Sequence, residues 1–455
     1  MLEFINKYLL GATVPIVLML VGLYFLFKLK FFPLTKFPQM ARALTRNGKD
    51  SFRALALSLA GTLGVGNIVG VTTAIVSGGF GAIFWMWVSA AVAAILKYAE
   101  ILLAMQSRVP TKEGFKGGAP YYIRANLSTK SLRFGKLLSA LFAFLCIINC
   151  FSMGAVIQTG AISEAASSVW NIPPLLCGLI LAAVTFFLLR GGAKTITKLT
   201  SALVPFMSLL YLVLSLAVII PRASQLPDLM RQILDSAFTG ESAAGGILGF
   251  FMSRALRFGV IRGLFSNEAG CGTSPTAHIS SESAPCEQGF MGIIEVFIDT
   301  VLLCSMTGFA VMLRYNEVSH LGEAPMKMVL EAYSGAFAPM LKLPIEWLMA
   351  FMVLCFGFAT VSCLSHYAFE CLGFLWKSKK AAKLFIPIYC AAVLWGAFAD
   401  SSWVWSVSDL TVGVMTLINL AVLLFCRRDI FGETERYFAK SKNNCKSDKK
   451  FTKCS

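Results

Sequence analysis

The sequence predicts an all-α polytopic membrane protein of about 11 transmembrane helices: one extra N-terminal helix followed by two inverted five-helix repeats. Three observations predict it. The 455 residues are 57% hydrophobic and only 14% charged, against about 25% charged in soluble domains, and the mean hydropathy is +0.71. A soluble globule cannot hide that much apolar surface. The apolar residues fall into eleven runs, at 8–27, 54–78, 81–106, 137–167, 173–189, 199–220, 245–280, 289–313, 345–376, 384–400 and 405–426. The basic residues collect in alternate connections between those runs, as the loops on the cytoplasmic side of a membrane protein do.

The first run is preceded by one base, Lys7, beside Glu3. It is longer than the apolar core of a signal peptide, so residues 1–30 are expected to stay as an extra membrane helix. A basic loop follows at 31–53. Runs two to six form the first five-helix repeat, 54–221. A connector at 222–244 leads to the second repeat, 245–426, and a basic tail occupies 427–455. The segments 28–53, 107–136, 190–198, 281–288, 377–383 and 427–455 hold 30 of the 40 bases, and the intervening connections hold 6. This places the N-terminus outside, the C-terminus in the cytoplasm and the protein in the plasma membrane. It also accounts for the net charge of +16 without nucleic acid. The tail reads as a disordered end in contact with anionic lipid, with Cys445 and Cys454 reduced and exposed. Most other cysteines sit singly in apolar runs as small packing residues, and no spacing suggests a metal-ligand cluster.

An odd number of helices per repeat inverts the second copy. The long connections 107–136 and 314–344 then occupy matching places on opposite faces. The first helix of each repeat carries the least helical sequence. One contains Gly61-Thr-Leu-Gly-Val-Gly-Asn-Ile-Val-Gly70, the other Arg262-Gly-Leu-Phe-Ser-Asn-Glu-Ala-Gly-Cys-Gly-Thr-Ser-Pro275. Glycines at equivalent repeat positions point to broken helices around a midplane binding site. Half-helix N-termini attract carboxylates, and unwound carbonyls suit Na+. The Gly66-xxx-Gly70 spacing also fits close helix packing. Gly64 to Gly70 superficially resembles a dinucleotide fingerprint, but no strand precedes it. Glu268, beside Asn267 in an apolar run, requires a partner and a reason.

At these motifs the chain resembles the alanine/glycine:cation symporter family, the sodium:alanine symporters. The residues that carry the resemblance are Gly64-Val-Gly-Asn-Ile-Val-Gly70, Gly78-Gly-Phe-Gly-Ala-Ile-Phe-Trp-Met-Trp87, Lys97-Tyr-Ala-Glu100, Gly117-Gly-Ala-Pro-Tyr-Tyr-Ile123, Gln158, and the block from Arg262 to Thr300. The match is good over 50–313 and looser over 345–426. The resemblance implies a leucine-transporter-type fold and Na+-coupled import of small neutral amino acids such as alanine or glycine by alternating access. Asn67, Gln158 and Phe265 resemble the family's substrate contacts, with Gly64 and Gly66 offering backbone, and Ser266 and Ser365 completing the expected substrate set. Leu63, Gly66, Thr360 and Ser362 are the expected Na+ ligands. The departures are Phe80, Cys271, Thr273 and the eighth core helix, where the family's Trp is replaced by Leu364 or Ser365 according to the alignment. A wider pocket and relaxed alanine selectivity follow as an expectation.

The remaining polar residues leave alternatives open. Thr360, Ser362 and Ser365 either ligate Na+ or bond their own backbone. His366, read as the one His inside a span, is either a proton site or a packed residue. Lys97 and Glu100 are spaced to pair on one helix face, and Arg257 and Arg262 are candidates to neutralise Glu268, Glu295 or Asp299. No hydrolytic triad, P-loop or metal-ligand set is present, so an enzyme is not expected, nor any cofactor besides the coupling ion. The partners expected are the amino acid, Na+ and the bilayer, with no obligatory protein partner. The alternative functions are a proton-coupled or uncoupled transporter or exchanger of larger neutral amino acids, or a low-turnover amino-acid sensor.

Overall fold

In the computed structural model the described residues are 11–36, 38, 40, 48–112, 114–238, 253–399 and 402–451. Residues 8–10 of the first apolar run, Lys7, residues 239–244 of the connector, residues 245–252 at the start of the second repeat, and Cys454 lie outside them, as does the side chain of Cys445. Nearly everything described is helical. Helix α1 is Gly11–Lys28, α2 Gly48–Thr62, α3 Val69–Gly78 and α4 Gly81–Gln106. A two-stranded antiparallel hairpin, β1 Val109–Thr111 and β2 Gly114–Lys116, leads into α5, Ala119–Leu127. Then come α6 Leu132–Trp170, α7 Pro174–Arg190, α8 Gly192–Ile219 and α9 Leu226–Phe238. The second half holds α10 Arg254–Asn267, the single turn α11 Pro275–His278, α12 Pro285–Met312 and α13 Pro325–Ser334. It ends with α14 Pro339–Leu375, α15 Lys379–Gly396, α16 Ser402–Phe425 and α17 Arg427–Phe451.

Among the described residues, six helices are long and apolar enough to cross a membrane, or seven if the bent pair α2 and α3 is one span. That bend is 62°. Helix α4 is the central post. Its residues are buried along almost the whole length, and α1, α9, α10 and α12 pack around it. Gly22 lets α1 press against it: a Cβ there would lie 2.3 Å from Val92 Cγ1. The outer helices present their apolar residues outward instead. Leu137 on α6 and Phe187 on α7 are each 70% exposed, as expected for a surface solvated by lipid rather than water.

Two helices contain a π-helical stretch, Cys150–Ile157 in α6 and Phe297–Cys304 in α12. A π-bulge adds a residue to one turn and re-aims the side chains beside it. The second faces the break between α2 and α3, and the first ends at Gln158, whose side chain reaches that break.

The tail differs from the disordered end that its charge suggested. Residues from Arg427 onward form α17, and its first turns are packed. Thr434 bonds Tyr98 at 2.8 Å, Tyr437 donates to Glu287 at 3.1 Å, and the Phe438 ring lies 5.5 Å from Phe32. Ile430, Phe431, Thr434, Tyr437 and Phe438 recur at helical spacing, so one face of an otherwise charged helix is anchored to the bundle.

Candidate functional site

Helix α2 ends at Thr62 because the next residues leave the helical path. Val65–Asn67 form one 3₁₀ turn, and α3 starts at Val69. The backbone groups freed there must find partners within the protein, and they do. The Gly64 N–H donates to Asn67 Oδ1 at 3.1 Å and the Val65 N–H to Gln158 Oε1 at 3.0 Å. The Asn67 carbonyl accepts from Thr307 Oγ1 at 2.7 Å. Thr360 Oγ1 on α14 donates among three carbonyls, those of Ala60 at 3.0 Å, Phe356 at 3.1 Å and Leu63 at 3.4 Å. Gly64 sits between these groups. A Cβ on it would come within 2.7 Å of Thr360 Oγ1 and 2.9 Å of Gln158 Oε1. Only glycine lets the Thr360 hydroxyl and the Gln158 amide close on the break together.

Asn67 is fixed from behind by α12. Its Nδ2 donates to Asp299 Oδ1 at 2.7 Å, and Asp299 Oδ2 accepts from Ser266 at 2.7 Å and Thr300 at 2.7 Å. Asp299 is fully buried, and both its oxygens have donors, the condition for holding a charge away from water. The π-helical stretch aims Asp299 at Asn67, and the other such stretch ends where Gln158 begins.

Beside Gly66 lies the Phe265 ring, 3.4 Å from where a Cβ would be. The Trp405 ring of α16 covers Phe265 with centroids 4.8 Å apart, and Arg262 lies over Trp405 at 4.8 Å. Arg262 faces Asp409 at 3.9 Å. Trp405 and Arg262 line a cleft of about 720 Å³ whose walls also include Val65, Ile157, Glu164 and Lys327. A second cleft, about 750 Å³, opens at the other end of α2 among Asp50, Arg53, Lys194 and His366. The break lies between the two.

The expected site residues therefore separate into two groups. Leu63, Gly64, Gly66, Asn67, Gln158, Phe265, Ser266 and Thr360 converge on the break. Ser362 and Ser365 do not: Ser362 donates to the Phe358 carbonyl at 2.7 Å and Ser365 to the Ser362 carbonyl at 2.6 Å, each on their own helix. At the altered stretch of α14 it is Leu364 that turns toward α6, against Gly154. Asp299, Thr307 and Trp405 are additions that the sequence did not single out as site residues. Asp299 carried a signal, one turn from Glu295 in an apolar run. Trp405, two residues from Trp403 in an apolar span, carries none.

The charged residues pair differently from their spacing. Lys97 does not meet Glu100. It crosses to Glu295 Oε1 at 2.7 Å and to the Asn267 carbonyl at 2.6 Å, where α10 ends. Glu295 also meets Thr62 at 3.3 Å and His278 at 3.4 Å. His278 is thus a second interior histidine and is fully buried, whereas His366 lines the cleft beside Arg53. Glu100 bonds Asn419 instead. Neither Arg257 nor Arg262 neutralises Glu268, Glu295 or Asp299. Arg257 lies over the Phe258 ring.

With this geometry established, comparison with known proteins identifies its lineage. The sequence pattern described as Sodium:alanine symporter family matches residues 1–453, and the chain belongs to that family. It is 31% identical to the sodium/alanine symporter AgcS of Methanococcus maripaludis, over 97% of this chain and 98% of that one. It is 32% identical to a probable sodium/glutamine symporter, GlnT, of Bacillus subtilis, over 96% and 90%. The fold is similar to that of MhsT, crystallised with L-phenylalanine, with a TM-score of 0.59, 13% identity and coverage of 82% of this chain and 88% of that one. The family and its relatives are transporters, and this chain is a multi-pass membrane transporter of the leucine-transporter-type fold, not an enzyme.

Proposed function

We propose that the protein imports a small neutral amino acid together with Na+ by alternating access, across the plasma membrane. The N-terminus is outside, the C-terminus is in the cytoplasm, and eleven spans form an extra helix plus two inverted five-helix repeats. The observation that carries this reading is the meeting of Thr360 Oγ1 with the carbonyls of Ala60 and Leu63 beside Gly64. A cluster of neutral oxygens at the end of a half-helix suits a hard monovalent cation, because the carbonyl dipoles there point their negative ends at it. In this reading Na+ draws the Thr360 hydroxyl off those carbonyls and takes its place between them.

The amino acid lies on the other side of the break. Its carboxylate takes backbone N–H groups at the start of α3, and its ammonium takes the Asn67 side and the Gln158 amide oxygen. The Phe265 ring bounds the side chain. A zwitterion needs opposite poles and a short apolar wall between them, and these residues supply both. The cleft with Glu323 and Lys327 is the outer vestibule, with Trp405 and Arg262 lining it. The cleft with Arg53 and Lys194 is the inner one. The family's Trp is absent from α14, and Leu364 stands at that level against α6. Side chains larger than a methyl are therefore expected to be accepted.

Uptake of labelled alanine into proteoliposomes under an inward Na+ gradient, against an equal K+ gradient at constant pH, tests the reading. Concentrative uptake with Na+ alone is the expected result, with competition by serine, glutamine and leucine. Equal uptake under both gradients overturns the coupling ion. Competition confined to alanine and glycine overturns the relaxed selectivity.

A further inference from the structure

Among the described residues, four carboxylates, Glu100, Glu268, Glu295 and Asp299, and one ammonium, Lys97, are buried in the interior around the two breaks. The fourfold excess of acid is not evenly satisfied. Glu295 takes Lys97, His278 and Thr62. Asp299 takes three donors. Glu268 has a single donor: Thr273 Oγ1 bonds its Oε2 at 2.5 Å. Its Oε1 is buried with no partner, and the residue is 2% exposed. A buried carboxylate with a free lone-pair face and no counter-ion is the most costly arrangement available to that side chain.

The groups facing it cannot supply the missing charge. Among the described residues, Lys97 on α4 is the one cation near it, and its Nζ already serves Glu295 and the Asn267 carbonyl. Glu295 on α12 is another anion. From α6 come the thiols of Cys146 and Cys150, from α14 Cys363 and Tyr367, and from its own segment Cys271, all neutral donors at best. The backbone at Glu268 is also unusual. Its φ is 51°, the left-handed region, at the C-cap of α10, and Gly270 and Gly272 follow at 91° and 83°. A branch-free acidic residue is held where glycine or Asn is normal, in the stretch between α10 and the single turn α11, where alternating access requires movement.

We propose that Glu268 is a proton-binding site within the second break, so that the closed form carries a neutral carboxyl there. A proton from water adds to Oε1, forming an O–H bond and removing the uncompensated charge. When the segment opens and water reaches Glu268, the O–H bond breaks and the proton returns to water. Closing of the second break is thereby tied to proton uptake, alongside the Na+ that the Thr360 cluster takes in the reading above, on which the transport consequence rests. Glu100, whose Oε2 also lacks a partner, lies on the continuous helix α4 rather than in the broken segment; it reaches that segment through Asn419, which also holds the Gly270 carbonyl, and it serves as the control.

Two measurements test this. Infrared difference spectra of the purified protein, recorded between acid and alkaline pH, report the carbonyl stretch of a protonated buried carboxyl. A band that disappears in Glu268→Gln and persists in Glu100→Gln is expected. A band unchanged by Glu268→Gln overturns the proposal, whatever the protein transports. The second is Na+-driven alanine uptake against pH. Because a required proton becomes scarcer, apparent affinity is expected to fall about tenfold for each pH unit above the titration of the site. In Glu268→Gln, uptake persists and its pH dependence flattens. A pH profile that is the same in both proteins overturns the coupling. If no amino acid is taken up at all, the transport reading fails, and the infrared band still decides the proton site. A Glu268→Gln protein that does not fold leaves the wild-type band, and its shift in a Thr273→Val variant that alters the carboxyl's hydrogen bonding, to decide it: a protonated-carboxyl band unmoved by Thr273→Val overturns the assignment.

Discussion

The two broken helices are built to different standards. In the first, between α2 and α3, the freed groups described above have partners: Gly64 N–H, Val65 N–H and the Asn67 carbonyl are each bonded, and Asn67 is locked by Asp299. In the second, between α10 and α11, Glu268 Oε1 and Ser274 Oγ are buried without partners, and three residues take positive φ. A satisfied break is a rigid template for ligands, because its hydrogen bonds fix each donor and acceptor in place. An unsatisfied one stores cost that a change of conformation, a proton or a ligand relieves. This difference is why recognition is proposed for the first break and movement for the second.

The largest expected effect comes from crowding the first break. Gly64→Ala puts a methyl against both Thr360 Oγ1 and Gln158 Oε1. Those side-chain ends can swing away, so the protein is expected to fold, but without them in place alanine uptake falls about 100-fold, the cost of losing charge-assisted hydrogen bonds of about 1.5–3 kcal/mol each at the site. Full activity in Gly64→Ala would break the assignment of recognition to this break. Asp299→Asn comes next. It replaces an acceptor of three donors with an amide and loosens Asn67, and a loss of about tenfold to 100-fold in apparent alanine affinity is expected with protein yield retained, as for removing one partner of a buried charged hydrogen bond. Thr360→Val should raise the Na+ concentration for half-maximal uptake about tenfold, the loss of one cation-facing hydroxyl at roughly 1.4 kcal/mol. A Trp405→Ala protein should keep Na+ coupling but gain bulky competitors such as leucine by a few-fold, roughly 1 kcal/mol of lost wall contact. Ser362→Ala and Ser365→Ala should stay within about twofold of wild type, as substitutions that touch only their own helix backbone do.

Much of the first break was legible because its chemistry is local. Glycines at 64 and 66, with Asn67 between half-helices, can be read along one stretch of chain, and Gln158, Phe265 and Thr360 follow from the family resemblance. Ser362 and Ser365 illustrate the limit. A hydroxyl on an apolar helix has a carbonyl of its own always within reach, and only the rotation of α14 decides which of Thr360 and Ser362 faces the break. Lys97 and Glu100 mislead for a related reason. Spacing reports which residues share a face, but Glu295 and Asn419 approach that face from other helices, and buried charges choose the partner that satisfies them best. The packing of α17 was recoverable, since its apolar stripe is visible once the charges are set aside. Trp405 was not, because nothing along α16 marks which aromatic covers Phe265.

Equilibrium binding of labelled alanine to the purified protein, measured across a Na+ titration, tests the central claim most directly. If Na+ and amino acid meet at the first break, alanine affinity rises with Na+, Na+ affinity rises with alanine by the same factor, and Thr360→Val shifts both together. Alanine binding that is indifferent to Na+, or a coupling that Thr360→Val leaves unchanged, would contradict it.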